Sequence, residues 1–235
     1  MGLFSSEKMV KRFISTLMVT GVLIEFSMTE QSIVKASEPT QDEIDAMYAQ
    51  EDAEAAYVLN NWNKVIDEKI KESGIDATAA AKNPDYRPGD ILVTMDNGFS
   101  SFGAGIRWGH SAIVYWANEY TMESYREDGV RLHGIDKWKP SNKKMKTLVA
   151  LKVHKATYQA KEIARKFAGN QKGKPYNYLF HKPERTDAYY CSSLIWRAYK
   201  EAGHGINGGS DKIVTPYDIV KDKDTKAYYK KGMEA

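Results

Sequence analysis

Apolar residues along this chain change their spacing twice, from a helical period to alternation and back, and the changes mark out its organisation. From Ile44 they recur at Met47, Tyr48, Ala55, Val58, Leu59, Trp62, Val65, Ile66 and Ile70, so that one face of a helix is apolar. Ahead of this run Thr40-Gln41-Asp42-Glu43 has the form of a capping box, and Gly74 supplies the residue type that closes a helix. One long helix is expected, its stripe packed on the domain that follows or on a partner. Ala77 to Pro88 reads as a linker.

Alternation then takes over. Arg87-Pro88-Gly89-Asp90 turns the chain into Ile91-Leu92-Val93-Thr94-Met95, a short buried strand. His110 to Ala117 and Tyr120 to Tyr125 flank Asn118-Glu119 as a hairpin, and Val130 to His133 and Leu148 to Val153 add further strands. Helical spacing returns at Thr157 to Ala168, with Ala160, Ile163, Ala164 and Phe167 on one face and Gly169 as the stop. A loop containing Lys174-Pro175-Tyr176-Asn177-Tyr178-Leu179-Phe180 leads to a last amphipathic helix that begins at Cys191 and ends at Gly203.

The N-terminal residues are of another kind. Lys8, Lys11 and Arg12 precede an apolar run from Phe13 to Ile24, and a polar stretch follows to Val34-Lys35-Ala36-Ser37, the pattern of a secretory signal. The apolar run is about a dozen residues, against the roughly 20 needed to span a bilayer. Cleavage after Ala36 is expected, giving a secreted or cell-wall-associated protein with no stable transmembrane span. Glu25 and Glu30 leave an uncleaved anchor as the alternative, and the signal also reads complete from Met9.

Loss of residues 1 to 36 removes four basic and three acidic side chains and takes the net charge from +3 to +2, too mild to imply a nucleic-acid partner. The lysines of Lys137 to Lys146 and Lys221 to Lys231 read as solvated faces. One cysteine rules out an internal disulfide, and five scattered histidines without metal-ligand spacing predict neither a zinc site nor a cofactor.

That single cysteine carries the candidate chemistry. Free cysteines are commonly just buried small hydrophobes, but Cys191 sits between Tyr189-Tyr190 and Ser192-Ser193 at the start of a helix. There the unpaired backbone N–H groups and the positive end of the helix dipole favour thiolate over thiol. In an exported protein an unpaired cysteine is a reactive or intermolecular thiol by default. His110, in Gly109-His110-Ser111-Ala112-Ile113-Val114, is a candidate base, and Glu123, in Thr121-Met122-Glu123-Ser124, a candidate orienting carboxylate.

Taken together these segments resemble a known family. Pro88-Gly89-Asp90-Ile91-Leu92, Gly109-His110-Ser111-Ala112-Ile113-Val114, Met122-Glu123-Ser124 before Asp128-Gly129-Val130, Lys174-Pro175-Tyr176-Asn177, and Tyr190-Cys191-Ser192-Ser193-Leu194-Ile195-Trp196 look like the YiiX-like branch of the NlpC-type cysteine peptidases. His110 precedes Cys191, the reverse of the ordinary papain-like order, and that circular permutation marks the branch. The resemblance covers about residues 86 to 220. It implies an α+β, permuted papain-like fold with an antiparallel sheet packed against the cysteine-bearing helix. It also places the nucleophile on Cys191, the base on His110 and the orienter on Glu123.

One register test follows from the hairpin. A two-residue turn at Asn118-Glu119 pairs Glu123 with Val114, on the same face as His110 but four residues away, about 13 Å along the strand. A bulge or wider loop must bring the two together. Of the remaining histidines, His133, His154 and His204 read as surface or loop residues, and His181 is the substitute base. Tyr176 and Trp108 are candidates to line the substrate cleft, with core packing as the alternative. Tyr190 and Ser192 flank the nucleophile as further substrate-binding candidates, and Tyr190 or a side chain of Ile91 to Met95 is a candidate second oxyanion donor.

The expectation is therefore a signal over 1–36, a helical segment and linker over 37–85, and a catalytic domain over 86–235. The expected activity is cleavage of an amide bond in a peptide-like substrate, with cell-wall peptides as one source, through a thioester. Two alternatives stay open: acyl chemistry on lipid esters or thioesters with the same thiolate, and a non-catalytic binding module.

Overall fold

The computed structural model describes residues 38–76, 83–96, 108–209 and 212–232. The signal lies outside these residues, as do 77–82 of the expected linker.

The capping box forms as its sequence predicts: the Thr40 hydroxyl accepts from Glu43 N, and Glu43 Oε2 accepts from Thr40 N at 2.8 Å. The long helix is nevertheless two, α1 (Gln41–Asn60) and α2 (Trp62–Glu72). Asn61 departs from helical geometry at φ −116°, ψ 19°, and its side-chain amide donates to the Tyr57 carbonyl at 2.9 Å. An asparagine competes for backbone acceptors in this way, and the break lets Trp62 turn inward. Ala55, Val58, Trp62, Ile66 and Ile70 are buried in the main core, so the apolar stripe is covered by the protein's own body.

Six strands follow: β1 (Ile91–Thr94), β2 (His110–Trp116), β3 (Tyr120–Tyr125), β4 (Gly129–Gly134), β5 (Leu148–Val153) and β6 (Thr225–Lys231). They form one sheet in the order β4-β3-β2-β1-β5-β6, with every pairing antiparallel. Helices α3 (Tyr158–Asn170) and α4 (Cys191–Glu201) pack together on β2, and α4 also reaches β3. A short α5 (Pro216–Lys221) precedes β6.

The sheet is buried on both faces. Ile91, Val93, Ile113 and Met122 join the core made with the helices, while Leu92, Ala112 and Val114 pack on the other side with Tyr86, Trp138 and Met145. Tyr86 corrects the linker reading, since its hydroxyl donates to the Trp138 carbonyl at 2.7 Å. The lysine-rich stretches are corrected too: Trp138 and Met145 in the first, and Thr225, Ala227 and Tyr229 in the second, are buried.

Candidate active site

Three elements bring the predicted residues together. Cys191 is the first residue of α4, where Ser193 Oγ accepts from Tyr190 N at 3.0 Å and closes the helix start. Ser192 Oγ ties that turn to the Val214 carbonyl at 2.7 Å. His110 opens β2 opposite Thr94 of β1. Gly109 delivers it there: φ is +85°, and a Cβ would stand 2.2 Å from the Thr94 carbonyl oxygen, so only glycine lets the chain approach so closely.

Glu123 comes from β3 by way of a bulge. Trp116 pairs with Tyr120, but Val114 pairs with Thr121 and Ile113 with Met122, so the register shifts between Val114 and Trp116. The turn carries Asn118 at φ 53°, in the left-handed region that asparagine tolerates. The loop is one residue wider than a two-residue turn and the bulge adds a second, so continuing the Ile113–Met122 pairing sets Glu123 opposite Ala112, two residues nearer His110 and still on its face, and His110 Nε2 stands 2.7 Å from Glu123 Oε2.

The carboxylate is saturated with donors. Oε2 faces His110 Nε2 and Lys137 Nζ, the latter at 2.9 Å, while Oε1 accepts from Trp138 Nε1 at 3.0 Å and from the Thr121 hydroxyl. The His110 ring lies between two aromatics, tilted on Tyr125 at 4.3 Å and stacked on Trp138 at 5.8 Å between centroids. Lys137, Trp138 and Thr121 were not singled out from the sequence. Thr121 shares the face of Glu123 by period two and was findable. A lone tryptophan among lysines was the only hint of the others.

Charge is distributed accordingly. Burial alone raises the Cys191 thiol pKa, but the hydrogen bond and charge of His110, the Ser111 N–H and the Ser192 hydroxyl together bring it below the usual thiol value. Burial disfavours the His110 imidazolium, yet hydrogen bonds to Cys191 and Glu123 raise its pKa overall. For Glu123 burial acts upward, and His110, Lys137 and Thr121 hold the carboxyl well below the usual carboxylate range. With Nε2 committed to Glu123, Nδ1 is left for the thiol. Thiol, imidazole and carboxylate are all fully buried.

The other predicted residues divide. Trp108 is fully buried, donates to Asp52 Oδ1 at 2.7 Å and packs edge-on against Tyr48 and Phe180, so it belongs to the framework rather than to an open cleft wall. Tyr190 is equally buried: its hydroxyl donates to the Phe180 carbonyl and accepts from Val214 N, which leaves it committed rather than free to bind an oxyanion. In β1, the Thr94 hydroxyl is paired with Thr147. Ser192 is likewise engaged.

Tyr176 stands apart from these. A parallel bridge to Tyr189 positions it. The preceding Lys174 accepts from Val130 N at 2.9 Å, and Gly129 makes room, since a Cβ there would lie 2.1 Å from the Lys174 oxygen. Its hydroxyl is buried with no hydrogen-bond partner, and it feels the charge of Cys191. His181 is held at the Tyr48 hydroxyl, 3.2 Å from Nδ1. Among the described residues no group of three or more His, Cys, Asp or Glu could hold a metal ion, and no helix is long and apolar enough to cross a membrane.

No curated protein matches. The crystal structure of metalloprotein yiiX from Escherichia coli O157:H7 is similar at 16% identity, with a TM-score of 0.48 over 63% of this chain and 98% of that one. The family model described as permuted papain-like amidase enzyme, YaeF/YiiX, C92 family, matches residues 85–234. With 150 of its 235 residues inside that match, the chain belongs to the permuted papain-like amidases of the YaeF/YiiX, C92 family and is a cysteine peptidase or amidase type of hydrolase.

Proposed function

We propose that this protein is an exported amidase that cleaves an amide bond in a peptide-like substrate, with wall-derived peptides as the first class to test. Cys191 is the nucleophile, His110 the general base and then acid, and Glu123 the orienter. The observation that carries this reading is the His110 ring, 2.7 Å from a buried, fully partnered carboxylate, with a buried Cys191 thiol whose pKa the His110 ring lowers. His110 takes the thiol proton, and the thiolate attacks the carbonyl carbon. The C–N bond breaks as the imidazolium gives its proton to the leaving amine, and water, deprotonated by His110, then hydrolyses the thioester.

The oxyanion formed in each half-reaction needs donors placed in advance. The Cys191 backbone N–H at the α4 N-terminus is one. The unpartnered hydroxyl of Tyr176 is the other, replacing the Tyr190 and β1 candidates, whose groups are already engaged.

The test is a set of variants assayed on wall peptides, aminoacyl amides and acyl esters. Cys191→Ala abolishes turnover, and His110→Ala costs nearly as much, because a thiol without its base is only a few per cent ionised at neutral pH. Glu123→Gln is milder, by about two orders of magnitude relative to loss of the nucleophile. Full activity in Glu123→Gln beside an inactive His181→Ala would overturn the assignment. Hydrolysis of the esters alone would move the substrate class to acyl chemistry. Export predicts mature protein beginning at Ser37, and an intact N-terminus in a membrane fraction would replace secretion with anchoring.

A further inference from the structure

Two cationic side chains converge on one oxygen of Glu123. Oε2 lies 2.7 Å from His110 Nε2 and 2.9 Å from Lys137 Nζ, while Thr121 and Trp138 serve Oε1. Of these four donors Lys137 is the one that brings a full charge whether or not His110 is protonated. Lys137 comes from the 3-10 turn Ile135–Trp138, and its side chain keeps only 23% exposure. Its Nζ also donates to the Tyr125 hydroxyl at 2.5 Å and stands 4.2 Å above that ring, the same ring that lies 4.3 Å from His110. A lysine held at three contacts gives up side-chain entropy of up to roughly 2 kcal/mol that a solvated one keeps.

We propose that Lys137 is a positioning residue of the triad, whose ammonium holds Glu123 as a carboxylate and offsets part of its pull on the His110 proton. This rests on the Cys191–His110–Glu123 reading above. Beside an uncompensated buried carboxylate, an imidazolium binds its proton too tightly to be a good acid for the leaving amine. A second cation on the same oxygen weakens that hold without removing the orienting bond. Lys137 then acts on the thiol as well, since every added positive charge nearby favours the thiolate.

Other groups face this centre and must be kept in the account. Cys191 comes from α4, Tyr176 from the loop before it, and Thr121 and Tyr125 from β3. His133 comes from β4, with its ring 5.0 Å from Tyr125, and Glu127 and Asp128 of the β3–β4 turn act on Tyr125 and His133 respectively. None of these places a further cation on Glu123, so removal of Lys137 has a distinct signature.

The experiment is the pH dependence of Cys191 alkylation by iodoacetamide, which needs no substrate. Slow access to the buried thiol scales the whole profile without moving its inflections. The wild type should show a lower inflection from the thiol and an upper one from the imidazolium. In Lys137→Met and Lys137→Gln both should move upward by about one pH unit, while Lys137→Arg stays close to wild type. Lys137→Gln is the deciding variant, because its amide retains a donor and the fold while losing the charge. A Lys137→Gln profile that superimposes on the wild type overturns the proposal. A wild-type profile of an ordinary thiol overturns the triad itself, and this inference with it.

Discussion

Glu123 is an ionised group with no access to water, a state that costs several kcal/mol unless its lone pairs are met. Two donors on each oxygen meet them. Its depressed pKa makes the stabilisation complete above the unfolded carboxylate value of about 4.3, and lost as pH falls below that toward the folded value. His110 has the opposite sign: its raised pKa adds stability below about 6.5 that disappears as pH rises through the folded value. Trp138→Phe isolates one donor, since the ring can still stack on His110 while Nε1 is gone. We expect a loss of about 1.5–3 kcal/mol, the range for a bond to a charged acceptor, read as a lower urea midpoint at unchanged slope. An unchanged midpoint would mean that Thr121 alone satisfies Oε1. Of these partners only Thr121 was within reach of a sequence argument, because period two puts it on the Glu123 face. Trp138 and Lys137 arrive from beyond the next strand.

Elements were legible where their signals are local. The Thr40 box, the start of α3, the α4 start and the limits of β5 all depend on residues within one turn or one strand of each other. Strand β6 was passed over although Thr225, Ala227 and Tyr229 alternate with Lys226, Tyr228 and Lys230, because lysines on an edge strand read as a solvated run. Helix α1 carries a comparable concealed feature. Glu51 is partly buried with one carboxylate oxygen unpartnered, and burial followed by the charges of Asp218 and Glu54 pushes its pKa up to about 7, with Lys221 opposing. A carboxyl whose folded pKa is raised binds more protons when folded, so stability falls as pH rises from about 4.5 to 7 and is level above. Glu51→Gln should therefore raise the thermal midpoint at pH 8 by a few degrees and leave it unchanged at pH 4. An equal gain at both pH values would point to packing and not to charge.

At the scale of the whole molecule the two ends of the described chain close on each other. Trp62 Nε1 of α2 donates to the Lys231 carbonyl of β6 at 2.9 Å, Lys69 Nζ reaches the Asp222 carbonyl at 2.6 Å, and Ala227 N donates to Ser73 Oγ at 2.9 Å. The N-terminal helices are thus part of the domain and not an appendage to it. Trp62→Ala, at a fully buried indole, should cost about 3–5 kcal/mol, measured by chemical denaturation. A cost under about 1 kcal/mol would mean that α2 is only loosely docked.

What the sequence determined by itself is the chemistry and its order: one thiol at a helix start, a histidine at a strand start, a glutamate on the same sheet face, with the histidine first. Each is a local pattern, in which backbone geometry fixes where a side chain points within a few residues. What only the tertiary structure decided is the company those groups keep. A wider hairpin loop and a one-residue bulge together turned a mismatch of register into a 2.7 Å contact, and a 3-10 turn beyond β4 supplied two of the four donors to Glu123. Tyr190 was engaged by loops on either side of its helix, and Tyr176 was left with a buried hydroxyl that has no hydrogen-bond partner. Hydrogen bonds and charges between residues far apart in the chain depend on how elements pack, and spacing along the chain holds no record of that.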